Sequence, residues 1–242
     1  MNIRGMVRFT LVDFPGKMAC VAFVGNCNFR CGYCHNPCLV FDPESQPLIS
    51  EDDFFEFLKK RQGKLDGVVV SGGEPILRKP LLSFIGKIKD MGFLVKLDTN
   101  GSMPEKVFKI HNEAGLDALG VDYKAPLDKY NEISQCHHMP ELGEKTLEVI
   151  KFALDKDIFI DVRTTVHKAL LSETDLSKMR GELSSAGLKT WTLQQFNPGE
   201  IIDDSLLEKD TYNDLELIKI ARGLDNTNVR GLSGIIISKS NS

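Results

Sequence analysis

Residues 19–38 read Ala19-Cys-Val-Ala-Phe-Val-Gly-Asn-Cys27-Asn-Phe-Arg-Cys31-Gly-Tyr-Cys34-His-Asn-Pro-Cys38. The first six residues are apolar throughout, which suits a strand of a parallel sheet covered on both faces. The loop after it then falls at the C-terminal end of a strand, where α/β sheets and barrels build their sites. Three cysteines spaced C-x3-C-x2-C on one tight loop can converge on a metal. A cubane cluster has four irons, so three thiolates leave one iron open to an outside ligand. Two other readings stand beside this one, a structural zinc loop and a closed, redox-inert cluster. Zinc sites normally draw a second pair of ligands from a distance, and ferredoxin runs follow C-x2-C-x2-C-x3-C-P. Cys38 extends the pattern by one x3 step; as a fourth ligand it would close the open iron, whereas Pro37 tends to carry it away.

Outward from this stretch, short β-rich runs alternate with amphipathic segments. Strands are expected at 19–24, 67–71, 94–98, 118–122, 159–166, 190–195 and 227–230, with helices at 51–61, 80–91, 105–113, 144–156, 173–185 and 211–222. Ser50-Glu51-Asp52-Asp53 and the stretch from Ser172 to Asp175 offer N-caps with acidic first turns, and Gly92 and Gly187 fall at C-cap positions. Regular β-then-α alternation implies right-handed crossovers and a parallel sheet. Six such units predict an α/β fold, a partial (β/α)6 TIM-like barrel with parallel strands. The 242 residues suit a single domain spanning 1–242, with its core at about 16–200. Residues 126–143 form the longest irregular stretch, and 231–242 read as a loose tail.

Composition excludes some functions. A net charge of −4 argues against electrostatically driven nucleic-acid or anionic-membrane binding, and the basic run from Lys59 to Lys64 reads as a solvated helix end. The N-terminus lacks a signal-peptide pattern, and no apolar run approaches the ~20 residues of a membrane helix. A cytoplasmic chain keeps its thiols reduced, so six cysteines point to metal or catalysis rather than disulfides. Cys20 reads as a core residue; Cys136-His137-His138 looks like a metal fragment, though loop histidines are more often solvated.

The second strand runs into Ser71-Gly72-Gly73-Glu74-Pro75. Paired glycines let a backbone approach a ligand closely, and a carboxylate suits an ammonium partner. With the cysteine loop in register before it, this resembles the radical S-adenosylmethionine superfamily. The resemblance implies the radical SAM fold, one [4Fe–4S] cluster held by Cys27, Cys31 and Cys34, and S-adenosylmethionine whose amino group meets Gly72, Gly73 and Glu74. Tyr33-Cys34-His35-Asn36-Pro37 is similar to the YCHN sequence of enzymes that activate glycyl-radical enzymes. Asp98-Thr99-Asn100-Gly101 resembles their DTNG motif, and Asp122-Tyr123-Lys124 their D-x-K. In pyruvate formate-lyase activating enzyme, the residues matching Asp98, Thr99 and Asp122 ring a monovalent cation beside the cofactor carboxylate, and the lysine matching Lys124 lies near the same cofactor. Arg163 matches an arginine that faces the cofactor in related activases, and Asn197 falls where a cofactor-contacting histidine stands in that enzyme.

Leu11-Val-Asp-Phe-Pro-Gly-Lys17 and Leu193-Gln-Gln-Phe-Asn-Pro-Gly-Glu200 resemble the anaerobic ribonucleoside-triphosphate reductase activating proteins, a likeness covering roughly residues 5–200. Cys38 departs from that group, where an acidic residue is expected. No cysteine lies between Cys38 and Gly72, so no ligands exist there for further clusters. The implied activity is reductive cleavage of S-adenosylmethionine to a 5′-deoxyadenosyl radical, which takes a Cα hydrogen from a glycine of a partner enzyme. Anaerobic ribonucleotide reductase is the implied partner, and a flavodoxin or ferredoxin the implied electron donor. The alternatives are a radical enzyme acting on a small molecule or on another glycyl-radical enzyme of the pyruvate formate-lyase type, and an electron carrier with Cys38 as fourth ligand.

Overall fold

Among the described residues, eight strands form one sheet whose spatial order is the order of the chain. The computed structural model describes residues 1–232, so the tail expected at 231–242 lies, from residue 233 on, outside the described residues. The strands are β1 (Ile3–Thr10), β2 (Ala19–Val24), β3 (Gly67–Gly72), β4 (Leu94–Thr99), β5 (Ala118–Asp122), β6 (Phe159–Val166), β7 (Trp191–Gln195) and β8 (Thr227–Arg230). Strands β2 to β8 pair in parallel, each with its successor, and β1 pairs antiparallel with β2. The helices are α1 (Pro37–Phe41), α2 (Glu51–Lys59), α3 (Leu81–Asp90), α4 (Pro104–Ala114), α5 (Tyr130–Ser134), α6 (Leu142–Asp155), α7 (Glu173–Ser185) and α8 (Asp214–Arg222).

Crossovers of one hand between sequential neighbours place their helices on one face of the sheet. The packing follows this division. Cys20, Ala22, Val68, Val70, Val95, Leu97, Leu119 and Val121 join the helices in the main core. The alternate residues Ala19, Val21, Val69 and Ala118 form a separate small cluster with Phe14 on the concave face. That cluster plugs one end of the concave side. Among the described residues the sheet does not close into a ring, which makes the fold a partial TIM-like barrel with β1 and β8 at its edges.

Local signals position the helices. Ser50 accepts from Asp53 N and caps α2, while Ser172 with Asp175 and Asn213 with Glu216 form capping boxes on α7 and α8. The last of these starts α8 at Asp214 rather than at 211. Gly92 and Gly187 follow α3 and α7 in Schellman pairs, Gly92 N to Lys89 O with Phe93 N to Ile88 O, and Gly187 N to Ser184 O with Leu188 N to Leu183 O.

Three stretches depart from expectation. Strand β1 is additional, because Arg4, Gly5 and Arg8 interrupt its apolar pattern and its register breaks on either side of the residues from Gly5 to Val7. Helix α1 begins directly behind the cysteine loop, with Pro37 in its first turn, where a missing N–H costs nothing. Part of 126–143, expected to be irregular, folds as a 3₁₀ turn at Leu127–Lys129 and helix α5. Among the described residues no helix is long and apolar enough to cross a membrane.

Candidate active site

At the C-terminal ends of the strands lies a cavity of about 400 Å³, within the size range of small-molecule sites. The three loop cysteines, Gly72, Gly73, Glu74, Asp98, Thr99, Asp122, Lys124, Arg163 and Asn197 all line it, with Tyr33, His35 and Asn36. Both edges reach it, through Val12 and Asp13 after β1 and through Arg230 and Gly231 at the end of β8. It is therefore walled by the cysteine loop, by the ends of β3, β4 and β5 and by residues of both sheet edges, whereas Cys20, Cys38 and Cys136 lie off it.

The cysteine loop is anchored from three sides. Cys34 N donates to Cys31 O (3.0 Å), Arg30 N to Ser134 O of α5 (2.9 Å), and the Arg30 guanidinium to the carbonyls of Cys27 and Phe29 (2.7 Å each). Behind the loop, Asp203 N donates to Gly32 O (2.9 Å). Glu74 N donates to Asn26 O (2.7 Å) and Gly73 N to Val24 O (2.8 Å). The close approach that the paired glycines allow is to this loop. Gly72 sits at φ +124°, and a Cβ there would overlap Val24 O; one on Gly73 would overlap Asn26 O. His35 Nε2 meets Asn197 O (2.8 Å) and its ring lies 5.6 Å from that of Phe196, tying the loop to the end of β7.

Burial raises the thiols of Cys27, Cys31 and Cys34 above the ordinary range, Cys27 to about 12, with the Glu74 charge adding to the effect. Binding to a metal would displace these protons. Asn100 Nδ2 lies 4.0 Å from Cys27 Sγ and donates to Asn28 Oδ1 (2.9 Å), and Asn28 Nδ2 donates to Ser102 Oγ (2.9 Å). Glu74 is wholly buried and joins two strand ends, accepting from Ile76 N (3.0 Å), Asn100 N (2.6 Å) and the Thr99 hydroxyl (3.0 Å). Burial still prevails over these donors and pushes its carboxyl up to about 7.

Below the cavity runs a layer of paired charges. Arg163 donates to Asp98 Oδ2 (3.0 Å) and Asp122 Oδ1 (2.7 Å), and Lys124 Nζ lies 3.5 Å from Asp122 Oδ2. Asp98 also accepts from Lys96 and from the Ser71 hydroxyl (3.0 Å). Burial opposes charge on both aspartates, but the Arg163 guanidinium, joined by Lys96 at Asp98 and Lys124 at Asp122, holds them below the usual carboxylate range. Lys124 Nζ stands 5.8 Å from the centre of the Tyr33 ring.

The donor set fits a cluster better than a single ion. Among the described residues no three Cys, His, Asp or Glu side chains meet as ligands of one metal ion. A zinc ion gathers its thiolates at about 2.3 Å from one point, whereas a cubane spreads them over separate irons. Cys38 lies half-buried on α1 and is not among the lining residues. Cys20 packs in the main core, and Cys136 is buried with Sγ 3.8 Å from each ring nitrogen of His138. The oxygens expected to ring a monovalent cation are engaged otherwise: Asp98 and Asp122 hold side-chain cations, and the Thr99 hydroxyl donates to Glu74. Lys96, Asn28 and Arg230 are site residues that the sequence does not single out, and Asn100 is quoted there only as part of a motif, without a role; a lysine inside the otherwise apolar start of β4 is the signal for Lys96.

The Radical SAM superfamily profile matches residues 21–175. A protein of Methanocaldococcus jannaschii, named provisionally as a glycyl-radical enzyme activating enzyme, is 32% identical over 96% of this chain and 97% of its own length. A GTP 3′,8-cyclase of Helicobacter pylori is 33% identical over 62% of the chain, which spans 47% of that enzyme. Among solved structures, Streptococcus suis SuiB bound to S-adenosylmethionine superposes with a TM-score of 0.63 at 12% identity, over 89% of this chain and 52% of SuiB.

Proposed function

This chain belongs to the radical SAM superfamily, in its glycyl-radical-enzyme activating branch, and from that premise we propose that it is an activase that installs a glycyl radical on a partner enzyme. The observation that carries the reading is the near full-length match to a protein of that designation. That residues of both sheet edges line the cavity supports it, because a partner's polypeptide loop docked between those edges would reach the site. In this reading Cys27, Cys31 and Cys34 would hold a [4Fe–4S] cluster, and the chemistry it would supply is one-electron reductive cleavage of the sulfonium bond of S-adenosylmethionine to a 5′-deoxyadenosyl radical.

The remaining work falls to the chain's own groups. Gly72, Gly73 and Glu74 receive the cosubstrate's amino group, while Lys124 and Arg163 offer positive charge to its carboxylate. Tyr33, His35, Asn36 and Asn197 wall the site, and the segment around Asp203 backs the cysteine loop and keeps water from it. Holding the partner's glycine against the radical-bearing carbon is a matter of orientation, which a rigid rim achieves without further chemistry. The described residues, 1–232, are taken to act as one domain. The 11–17 and 193–200 stretches favour anaerobic ribonucleotide reductase as partner, with a cytoplasmic flavodoxin or ferredoxin as electron donor.

Anaerobic reconstitution followed by dithionite and S-adenosylmethionine tests the reading. The expected products are 5′-deoxyadenosine and, with partner present, a glycyl-radical doublet in electron paramagnetic resonance. Failure to form 5′-deoxyadenosine would sink the radical chemistry; nucleoside without any protein radical would favour a small-molecule substrate, as the cyclase relatives have. Cys38→Ser is expected to keep the visible iron–sulfur absorbance and the cleavage activity, since Cys38 stands off the cavity.

A further inference from the structure

Lys96 is wholly buried on β4, two residues before Asp98 and on the same concave face. An ammonium is seldom taken out of water unless it is paired and serves a purpose. Its Nζ donates to Asp98 Oδ1. The room for this pair comes from Gly120, which faces Asp98 in register on β5. A Cβ on Gly120 would overlap Asp98 Oδ1 and come within 2.7 Å of Lys96 Nζ. The pair thus occupies the volume that a side chain on β5 would otherwise fill.

Around it the charges are already compensated. Asp98, Asp122 and Asp161 pair with Lys96, Lys124, Arg163 and Arg230, and the buried Glu74 stands as a fourth carboxyl within electrostatic reach of Lys124. A small metal cation needs oxygens that no other cation has claimed. Here Asp98 and Asp122 are already claimed by Lys96, Arg163 and Lys124, so a metal ion would have to displace one of them.

We propose that Lys96 is a built-in counter-cation: its ammonium, held by Asp98 over the bare Cα of Gly120, takes the electrostatic part that the family resemblance gives to a monovalent metal ion, so cosubstrate binding needs neither sodium nor potassium. Lys96 is a positioning residue, acting through Asp98 and Arg163 on the cavity above. The inference rests on the reading of the cavity as an S-adenosylmethionine site and not on the identity of the partner.

The test measures the affinity of the reconstituted protein for S-adenosylmethionine in sodium, potassium and tetramethylammonium chloride at equal ionic strength. The same Kd in all three is expected, and a Kd that rises when tetramethylammonium replaces the metal ions overturns the proposal. Lys96→Met keeps the length and loses the charge. It should bind about tenfold or more weakly in tetramethylammonium and recover in potassium. A loss of equal size in every salt would make Lys96 merely structural and overturn the proposal. Should that variant not fold, sodium NMR on the wild-type, cluster-free protein decides independently. No saturable line broadening is expected, and broadening that potassium displaces refutes the inference. Absence of S-adenosylmethionine binding in every salt would defeat the reading of the cavity, and the sodium measurement would still judge Lys96.

Discussion

Glu74 is buried without a cationic partner in hydrogen-bonding reach, and its carboxyl is pushed up to about 7. Because the folded value lies above the ordinary one, the proton on Glu74 favours the folded state. That contribution is complete below the usual carboxyl range and disappears as pH rises through about 7. Unfolding of the cluster-free protein by urea should therefore show stability falling between pH 5 and pH 8, by up to about 3 kcal/mol from this group. Glu74→Gln, which imitates the protonated acid, should flatten the profile. An identical slope in the variant would remove Glu74 as its source. The residues of the site differ in how readable they were. Glu74 stood out because its neighbours form a fixed motif, and Asp98, Asp122 and Lys124 because they end strands. Lys96 did not, since a lone lysine in a strand can as well face solvent, and only the placement of β4 between two buried neighbours removes that choice. Asn28 and Asn100 likewise gain meaning only when their loops meet in space.

Strand β5 works by what it lacks. Gly120 leaves a gap into which the Lys96 and Asp98 side chains fold, and a methyl group there must push one of them aside. Gly120→Ala is expected to cost about 1–3 kcal/mol of stability, as overpacking does. It should also weaken S-adenosylmethionine binding, both effects being measurable on one preparation by urea unfolding and calorimetric titration. Unchanged stability would mean that the layer has slack the packing does not suggest. At this scale the sequence was most informative where elements are buried on both sides. The apolar runs of β2, β3 and β5 and the capped starts of α2 and α7 could be placed from their residues. Edge strand β1 could not, because one side of it meets solvent and tolerates Arg8 and Phe9 alike. Helices α1 and α5, five residues each, are too short to display a helical period.

For the molecule as a whole, the open side of the barrel carries apolar side chains where solvent-facing polar ones would be ordinary. Phe9, Leu11 and Val12 are 54%, 63% and 66% exposed beside the stretch that lines the cavity. If a partner's loop enters between the edges, Phe9→Glu should lower glycyl-radical formation at least about tenfold, as loss of an aromatic anchor does. Cleavage of S-adenosylmethionine without partner should stay as it was. Spin counting against nucleoside release separates the two, and equal losses would place the partner elsewhere. The sheet order has a temporal side as well. Each strand pairs with the one made just before it, so pairing can proceed as the chain leaves the ribosome. Among the contacts that break this rule, two that fasten the cysteine loop reach farthest along the chain: His35 to Asn197 and Gly32 to Asp203. They span most of the polypeptide and cannot form until synthesis is nearly over. During translation, the thiols that are buried at the end therefore spend most of that time uncovered.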